Sequence, residues 1–170
     1  MTQLLSGKMI VSGCTAGLPC SHDGRARLSE PVRSLVEDGR AIPVCPEQLC
    51  GMPTPRETAE IAGGDGADVL DGKASVASQS GRDLTKRFLE GARRALEIAQ
   101  RHGCRRAVLK ARSPSCGCGE IYDGSFSGAR RRGDGVTAAL FRRAGIEVLS
   151  DEEFARRTRP DREPADNSDL

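Results

Sequence analysis

The chain of 170 residues carries 26 basic and 24 acidic side chains, is 37% hydrophobic and 29% charged, and fits one globular domain with a sizeable core. Its net charge of only +2, with four Phe, one Tyr and no Trp, argues against a protein dedicated to nucleic-acid binding. No signal peptide is evident and no segment has the roughly eighteen apolar residues of a membrane helix, so the sequence predicts a cytoplasmic protein.

The first part of the chain alternates short apolar runs with one amphipathic segment. Residues 8–13 are predicted to form a buried strand, and residues 41–44 a second one. Pro43 in the second strand is typical of a sheet edge, because proline cannot donate to a ladder. Between the two strands, residues 29–39 are predicted to form a helix with Ser29 as its N-cap.

The long segment 46–72 is rich in Pro, Gly, Thr and Asp. A segment of this length without regular structure is usually functional or contains a hairpin. Asp71-Gly72 is a favourable hairpin turn, and residues 73–78 follow it directly. The sequence therefore predicts a functional loop with a hairpin at its end.

The remaining elements also alternate between helix and strand. They are a helix over 83–102, a strand over 106–110, a helix within 133–144, a strand over 146–149 and a short helix over 151–157. Strands separated by helices form a mainly parallel sheet with right-handed crossovers. The predicted fold is therefore α/β, a single Rossmann-like domain over residues 1–157 with a mainly parallel sheet flanked by helices. Residues 158–170 lack apolar periodicity and are predicted to be a disordered C-terminal tail.

The seven cysteines need an explanation of their own. An odd number without a secretory signal is a poor disulfide framework, so a metal site or catalysis becomes the leading interpretation. Cys104, between a predicted helix and a predicted strand, has ordinary neighbours and is interpreted as a small buried hydrophobic residue.

Three cysteines follow predicted strands. Cys14 comes directly after the first strand, Cys45 directly after the second, and Cys116 a few residues after the strand over 106–110. The carboxyl ends of parallel strands meet at one edge of a sheet, where such folds bind ligands. We therefore expect three thiols to converge there, where they would bind a soft metal or an iron–sulfur cluster.

Other cysteines lie near each of these three and remain candidates for extra ligands. The local pairs are Cys14/Cys20, Cys45/Cys50 and Cys116/Cys118. None has the paired two-residue spacing of a zinc ribbon, so the spacing disfavours structural zinc.

A carboxylate and a hydroxyl accompany the cysteines. Glu47 follows Cys45 by two residues, and Ser113 precedes Cys116 by three. A carboxylate beside a metal site can donate a proton or activate water, and a serine can orient a substrate by hydrogen bonding. Taken singly, each residue would be interpreted as satisfying a loop or a turn. Beside the cysteines, a catalytic function is favoured.

Other polar motifs carry weaker signals. His22-Asp23-Gly24 and Tyr122-Asp123-Gly124 are typical of turns. Gly133-Asp134-Gly135 precedes a predicted helix whose N-terminus could receive an anion. The basic run 130–132 is interpreted as a solvated face.

Four segments together resemble the bacterial thiouracil desulfidase family, long catalogued as a domain of unknown function. The resemblance spans residues 8–154, and the VCPE, PTPR and SPSCG motifs are specific in combination. The segments are VSGCTAGLPCSHDG (11–24), IPVCPEQLCGMPTPRETAEI (42–61), LKARSPSCGCGEIYDGSFSG (109–128) and GDGVTAALFRRAGIEVLSDEEF (133–154).

The resemblance implies a [4Fe-4S] cluster held by Cys14, Cys45 and Cys116, with the fourth iron open to the sulfur of a substrate. It implies that Glu47 moves protons and activates water, and that Ser113 positions or protonates the substrate. The implied reaction is hydrolytic desulfuration of a thiolated pyrimidine, with release of hydrogen sulfide. The implied reaction and the balanced charge together favour a small thiolated base or nucleotide as the partner, rather than a nucleic acid.

Two other functions remain open from the sequence. The surplus of cysteines also fits a non-catalytic zinc or iron–sulfur redox-sensing protein. Alternatively, Cys116 in a loop would serve as the nucleophile of an enzyme such as a sulfurtransferase.

Overall fold

The structure is a computed structural model, and it describes residues 7–159. Within this range the chain forms eight strands and six helices. In chain order they are β1 (Met9–Ser12), α1 (Glu30–Glu37), β2 (Ala41–Val44), α2 (Pro46–Leu49), β3 (Ala59–Ala62), α3 (Gly66–Leu70), β4 (Ser75–Ser78), α4 (Thr85–Arg101), β5 (Arg106–Leu109), β6 (Glu120–Tyr122), β7 (Arg130–Arg132), α5 (Val136–Arg143), β8 (Glu147–Ser150) and α6 (Asp151–Thr158).

A four-stranded parallel sheet in the order β2-β1-β5-β8 forms the centre of the fold. All four residues of β1 are buried, as expected for a strand paired on both sides and covered on both faces. Pro43 pairs with Val11 in β2, which is an edge strand of this sheet. The predicted edge position of this proline is therefore confirmed, because its missing N–H costs no ladder bond there.

Helices cover both faces of the sheet. On one face, Ile10 and Leu109 pack with Ala95 of α4 and Phe141 of α5. On the other face, side chains from β1 and β5 pack with those of α1 and α6. These residues are Met9, Val11, Val108, Val32, Leu35 and Phe154. The predicted α/β, Rossmann-like fold is thus confirmed, with adjacent residues of β1 contributing to opposite faces.

The segment 46–72 differs from its prediction. It contains α2, β3 and α3, and β3 pairs antiparallel with β4 from Ala59↔Ser78 to Ala62↔Ser75. The antiparallel pairing of β3 with β4 confirms the predicted hairpin, but Asp71-Gly72 is not its turn, because α3 lies in the connection and Asp71 is its C-cap. Helix α3 begins at a capping box in which Asp65 and Asp68 bond each other's backbone N–H groups.

A second antiparallel pair, β6 with β7, was not predicted. Asp123-Gly124 forms the turn after β6, as expected, and all three arginines of β7 are exposed. The buried carboxylate of Glu60 in β3 holds the connecting loop, since its Oε2 accepts from Gly124 N at 2.9 Å and Phe126 N at 3.0 Å. The side chain of Glu60 therefore links the β3–β4 sheet to the loop between β6 and β7.

The remaining boundaries lie within a few residues of the predictions. Ser29 is the N-cap of α1, but its side chain makes no capping bond. Helix α6 extends to Thr158, the first residue of the predicted disordered tail. From residue 160 onward, the predicted tail lies outside the described residues. Within residues 7–159, no helix has the length and apolar character needed to span a membrane.

Candidate active site

The structure brings the three strand-following cysteines to one cavity. Cys14 lies two residues after β1, Cys45 directly follows β2 as the N-cap of α2, and Cys116 lies in the loop after β5. Since β2, β1 and β5 are neighbours in the sheet, their carboxyl ends meet at one edge. All three cysteines line a cavity of about 460 Å³.

The loop that carries Cys116 rests on the N-terminus of α5. Gly135 N donates to Gly117 O at 2.7 Å, and Val136 N donates to Pro114 O at 2.9 Å. Thr137 N donates to Ser115 O at 2.8 Å. These N–H groups therefore hold the cysteine loop in place. Gly133-Asp134-Gly135 gave only a weak signal for an anion site in the sequence, and in the structure N–H groups at this helix start donate to carbonyl groups of the chain.

Ser113 fixes the same loop from its other side. Its Oγ accepts from Ser115 N at 3.2 Å and from Cys116 N at 3.1 Å. Both contacts use lone pairs of the hydroxyl, so its proton is left to donate. Ser113 also lines the cavity. It therefore combines a turn-forming contact with the position expected of a group that touches a substrate.

Glu47 lies in the first turn of α2 and lines the cavity beside Cys45. Its Oε2 accepts from Arg56 Nε at 2.5 Å. The side chains of this pair are only 15% and 4% exposed, respectively, so solvent screens the contact weakly. Glu47 is therefore a carboxylate held in one orientation at the cavity wall.

Arg56 was not recognised as a site residue from the sequence. Besides binding Glu47, its guanidinium donates to Cys20 O at 2.9 Å and to Thr54 Oγ1 at 3.1 Å. The contact with Cys20 joins two segments 36 positions apart. The available signal was the PTPR motif, in which Arg56 is the last residue.

The thiols at the cavity differ in their acidity. Hydrogen bonding to Cys20 lowers the pKa of Cys14, and the same kind of contact lowers the pKa of Cys45 to about 7. Burial raises the pKa of Cys116, although a hydrogen bond with Ser12 opposes it. Thiolates are the form that binds metal. Metal binding at this cavity would therefore release a proton from Cys116.

The other four cysteines differ in their surroundings. Cys104 is buried in the main core, which confirms its prediction as a small hydrophobic residue. Cys50 Sγ donates to Glu47 O at 3.0 Å, and Cys118 Sγ lies 2.8 Å from Arg142 Nη2. Neither Cys50 nor Cys118 is among the residues that line the cavity, whereas Cys20 is.

The donor set at the cavity fits an iron–sulfur cluster. Three thiols come from three separate loops, and thiolates are the usual ligands of such clusters. In such a cluster, each thiolate binds a different iron atom. Cys14, Cys45 and Cys116 are therefore the residues that would hold it.

The fold and the cavity define a Rossmann-like α/β protein with a thiol-lined site at the carboxyl edge of its sheet. The sequence model of the 2-thiouracil desulfurase family matches residues 9–153. The chain belongs to this family, which confirms the resemblance found in its motifs.

The chain is similar to one curated protein and to one solved structure. The chain is 46% identical over 146 residues to the uncharacterized protein YbbK of Bacillus subtilis (strain 168), a match that covers 86% of this chain and 97% of YbbK. It is similar to the solved structure of TudS, a [4Fe-4S]-dependent thiouracil desulfidase, with a TM-score of 0.76 and 42% identity. That similarity covers 86% of this chain and 92% of TudS.

Proposed function

We propose that the chain is an iron–sulfur-dependent desulfidase of the cytoplasm. It would convert a thiolated pyrimidine, such as 2- or 4-thiouracil or 4-thiouridine monophosphate, to the oxo form and release hydrogen sulfide. The reaction would be a hydrolysis without net electron transfer. The observation that carries this proposal is the meeting of Cys14, Cys45 and Cys116 with Glu47 and Ser113 in one cavity. Family membership and the similarity to TudS support it.

The three cysteines would each bind one iron of a [4Fe-4S] cluster, which leaves the fourth iron without a cysteine ligand. When bound, the cluster would supply a soft Lewis acid that polarises the C=S bond of the substrate. The cavity volume of about 460 Å³ is in the range of small-molecule sites, which suits a base or nucleotide rather than a nucleic acid.

The carboxylate of Glu47 would accept a proton from the attacking water. Arg56 occupies its Oε2, so the orientation of the carboxylate is fixed before a substrate arrives. Ser113 would donate its remaining proton to the substrate, because two backbone N–H groups already occupy its lone pairs. Together these groups would position the substrate and move protons during the reaction.

The test begins with anaerobic reconstitution, followed by measurement of iron and acid-labile sulfide per chain. Loaded protein is then incubated with 2-thiouracil, 4-thiouracil and 4-thiouridine monophosphate, and sulfide release is measured against apo-protein. We expect near-equal iron and sulfide, about four of each, and sulfide release by the loaded protein only. Loaded protein that releases no sulfide from any substrate would favour the redox-sensing function. Full activity without iron would favour a cysteine nucleophile.

Glu47→Gln is expected to keep the cluster and lose turnover. The amide preserves the shape of the side chain but cannot take up a proton, and general acid–base groups typically contribute about 10²–10⁴-fold. The measurements are iron content and kcat for sulfide release. Glu97→Gln on the exposed side of α4 is the matched control and should behave as wild type. Wild-type kcat in Glu47→Gln would refute the assigned role.

Arg56→Gln is expected to lower kcat about 10- to 100-fold, with iron content nearly unchanged. The variant loses a buried charge-assisted hydrogen bond, which is worth roughly 1.5–3 kcal/mol. Arg56→Lys should fall between this variant and the wild type, because lysine keeps the charge but not the guanidinium fork. Arg82→Gln, which removes an arginine with a 65% exposed side chain, is the control. Equal kcat in wild type, Arg56→Lys and Arg56→Gln would show that Glu47 functions without its hydrogen bond from Arg56.

A further inference from the structure

Tyr122 lines the candidate site but has no role in the proposed chemistry. The chain contains one Tyr and no Trp, and this single tyrosine is among the residues that line the cavity of about 460 Å³. It is half-buried, and it is the one benzene ring among the described residues of the cavity wall. An aromatic ring at the wall of a small-molecule site is suited to recognise another planar ring.

The strand that carries Tyr122 is attached to the rim of the cavity. Tyr122 is the last residue of β6, and its neighbour Ile121 is 1% exposed and packs in the core. The backbone of Ile121 also forms a β-bridge with Arg112, which lines the cavity. Arg112 has a φ of 65°, in the left-handed region that non-glycine residues rarely adopt, and its guanidinium binds both carboxylate oxygens of Glu152. The residue directly before Tyr122 is therefore fixed in place.

The chain after Tyr122 is held as well. The buried carboxylate of Glu60 accepts from Gly124 N at 2.9 Å and from Phe126 N at 3.0 Å. Tyr122 itself pairs with Arg130 in the ladder between β6 and β7. A tyrosine on such a backbone loses little conformational freedom when a ligand binds, so its ordering costs little binding free energy.

The ring of Tyr122 is oriented by Arg130. The Cζ atom of this arginine lies over the ring, 5.9 Å from its centroid, where the π-face attracts a guanidinium. Arg130 also forms an ion pair with Glu120 at 3.2 Å. Arg130 is not among the residues that line the cavity, so it holds the ring from outside the cavity.

We propose that Tyr122 is a specificity-determining residue that stacks on the pyrimidine ring of the substrate. The inference rests on the thiolated pyrimidine of the proposed function, but not on its turnover. Polar groups of a site recognise the edge of a base, whereas its flat face is recognised by an aromatic side chain. Stacking therefore selects an aromatic thio-base over a saturated thioamide that carries the same polar groups.

The test measures the affinity of the cluster-loaded protein for uracil and for dihydrouracil by equilibrium dialysis. Both ligands carry the same carbonyl and N–H groups, but dihydrouracil lacks the aromatic ring. Wild type is compared with Tyr122→Phe, which keeps the ring, and with Tyr122→Leu, which keeps only apolar bulk. Arg132→Gln is the control, because it changes an exposed side chain of the neighbouring strand β7. A second measurement uses protein with ¹³C-labelled tyrosine rings, in which every ring signal comes from Tyr122.

We expect wild type, Tyr122→Phe and Arg132→Gln to bind uracil about 10- to 100-fold more tightly than dihydrouracil, which is the range of one base–aromatic stack. In Tyr122→Leu, this preference should largely disappear, through weaker binding of uracil and little change for dihydrouracil. General damage to the site would instead weaken both ligands. The ring signal of Tyr122 in wild type should shift on addition of uracil, and much less on addition of dihydrouracil.

Two results would overturn the inference while leaving the proposed function in place. One is a wild type that binds both ligands equally, and the other is an unchanged preference for uracil in Tyr122→Leu. Loss of that preference in His22→Leu would then assign the stacking to His22, which also lines the cavity but is exposed. A loaded wild type that prefers uracil through Tyr122 but releases no sulfide from thiouracil would refute the proposed function alone. A wild type that binds neither ligand would refute the inference, whatever its iron content.

Discussion

Replacing Cys45 by alanine is expected to remove the bound iron and to lower desulfuration by at least about 100-fold. Changes in groups that only surround a metal site already cost about 10- to 100-fold, and a lost ligand should cost more. Cys45 is the N-cap of α2, two residues before Glu47, so its loss removes the proposed ligand next to the proposed base. The measurements are iron and acid-labile sulfide per chain, followed by sulfide release.

The same result is expected for Cys14→Ala and Cys116→Ala, because each proposed ligand follows a different strand and none can replace another. Cys118→Ala and Cys104→Ala are matched controls from the same chain, since neither residue lines the cavity. Both controls should hold a full complement of iron. A Cys45→Ala protein with wild-type iron and activity would place the cluster elsewhere.

Gly91→Ala is expected to lower the free energy of unfolding by about 2–3 kcal/mol, although alanine is the better helix former. At an exposed helical position, this change would stabilise a protein by roughly 1 kcal/mol. In α4, however, the new β-carbon would lie 2.2 Å from Pro46 O and 2.8 Å from its carbonyl carbon. The backbone of α2 would have to move away, and neither atom is the end of a flexible side chain.

The displacement should reach the site, because Pro46 lies between Cys45 and Glu47 in the chain. We therefore expect reduced turnover in Gly91→Ala together with a lower Tm of the apo-protein. Gln100→Ala on the exposed side of the same helix is the control for a change in helix propensity alone. A wild-type Tm and activity in Gly91→Ala would show that α2 can move away from α4 without loss of stability or turnover.

The elements that periodicity predicted correctly are those that bury one face against the sheet. Helix α4 repeats small and apolar residues such as Phe88, Ala92, Ala95 and Ala99, and all four are buried. Strand β7 consists of three exposed arginines, of which Arg130 also forms an ion pair with Glu120 of β6, so no apolar pattern marks it. Helix α3 has five residues and depends on the Asp65 capping box. Such short elements are stabilised by contacts with the rest of the protein rather than by a hydrophobic pattern in their own sequence.

At the candidate site, too, some features could be predicted from the sequence and others could not. The rule that ligands gather at the carboxyl ends of parallel strands was sufficient to bring Cys14, Cys45 and Cys116 together. Their assignment as cluster ligands came from the family motifs and is still a prediction. The role of Arg56 was not predictable, because it depends on contacts with Glu47 and Cys20 that exist only in the folded chain.

The cysteine loops are held by groups that do not bind metal. Gly13 N donates to Val44 O at 2.7 Å beside Cys14, and Leu49 N donates to Cys45 O at 2.9 Å in α2. The third loop is held by Ser113 and by the N-terminus of α5. These hydrogen bonds hold the loops without a metal, whereas the folding of a zinc finger requires its metal. We therefore expect the apo-protein to be folded before it receives a cluster.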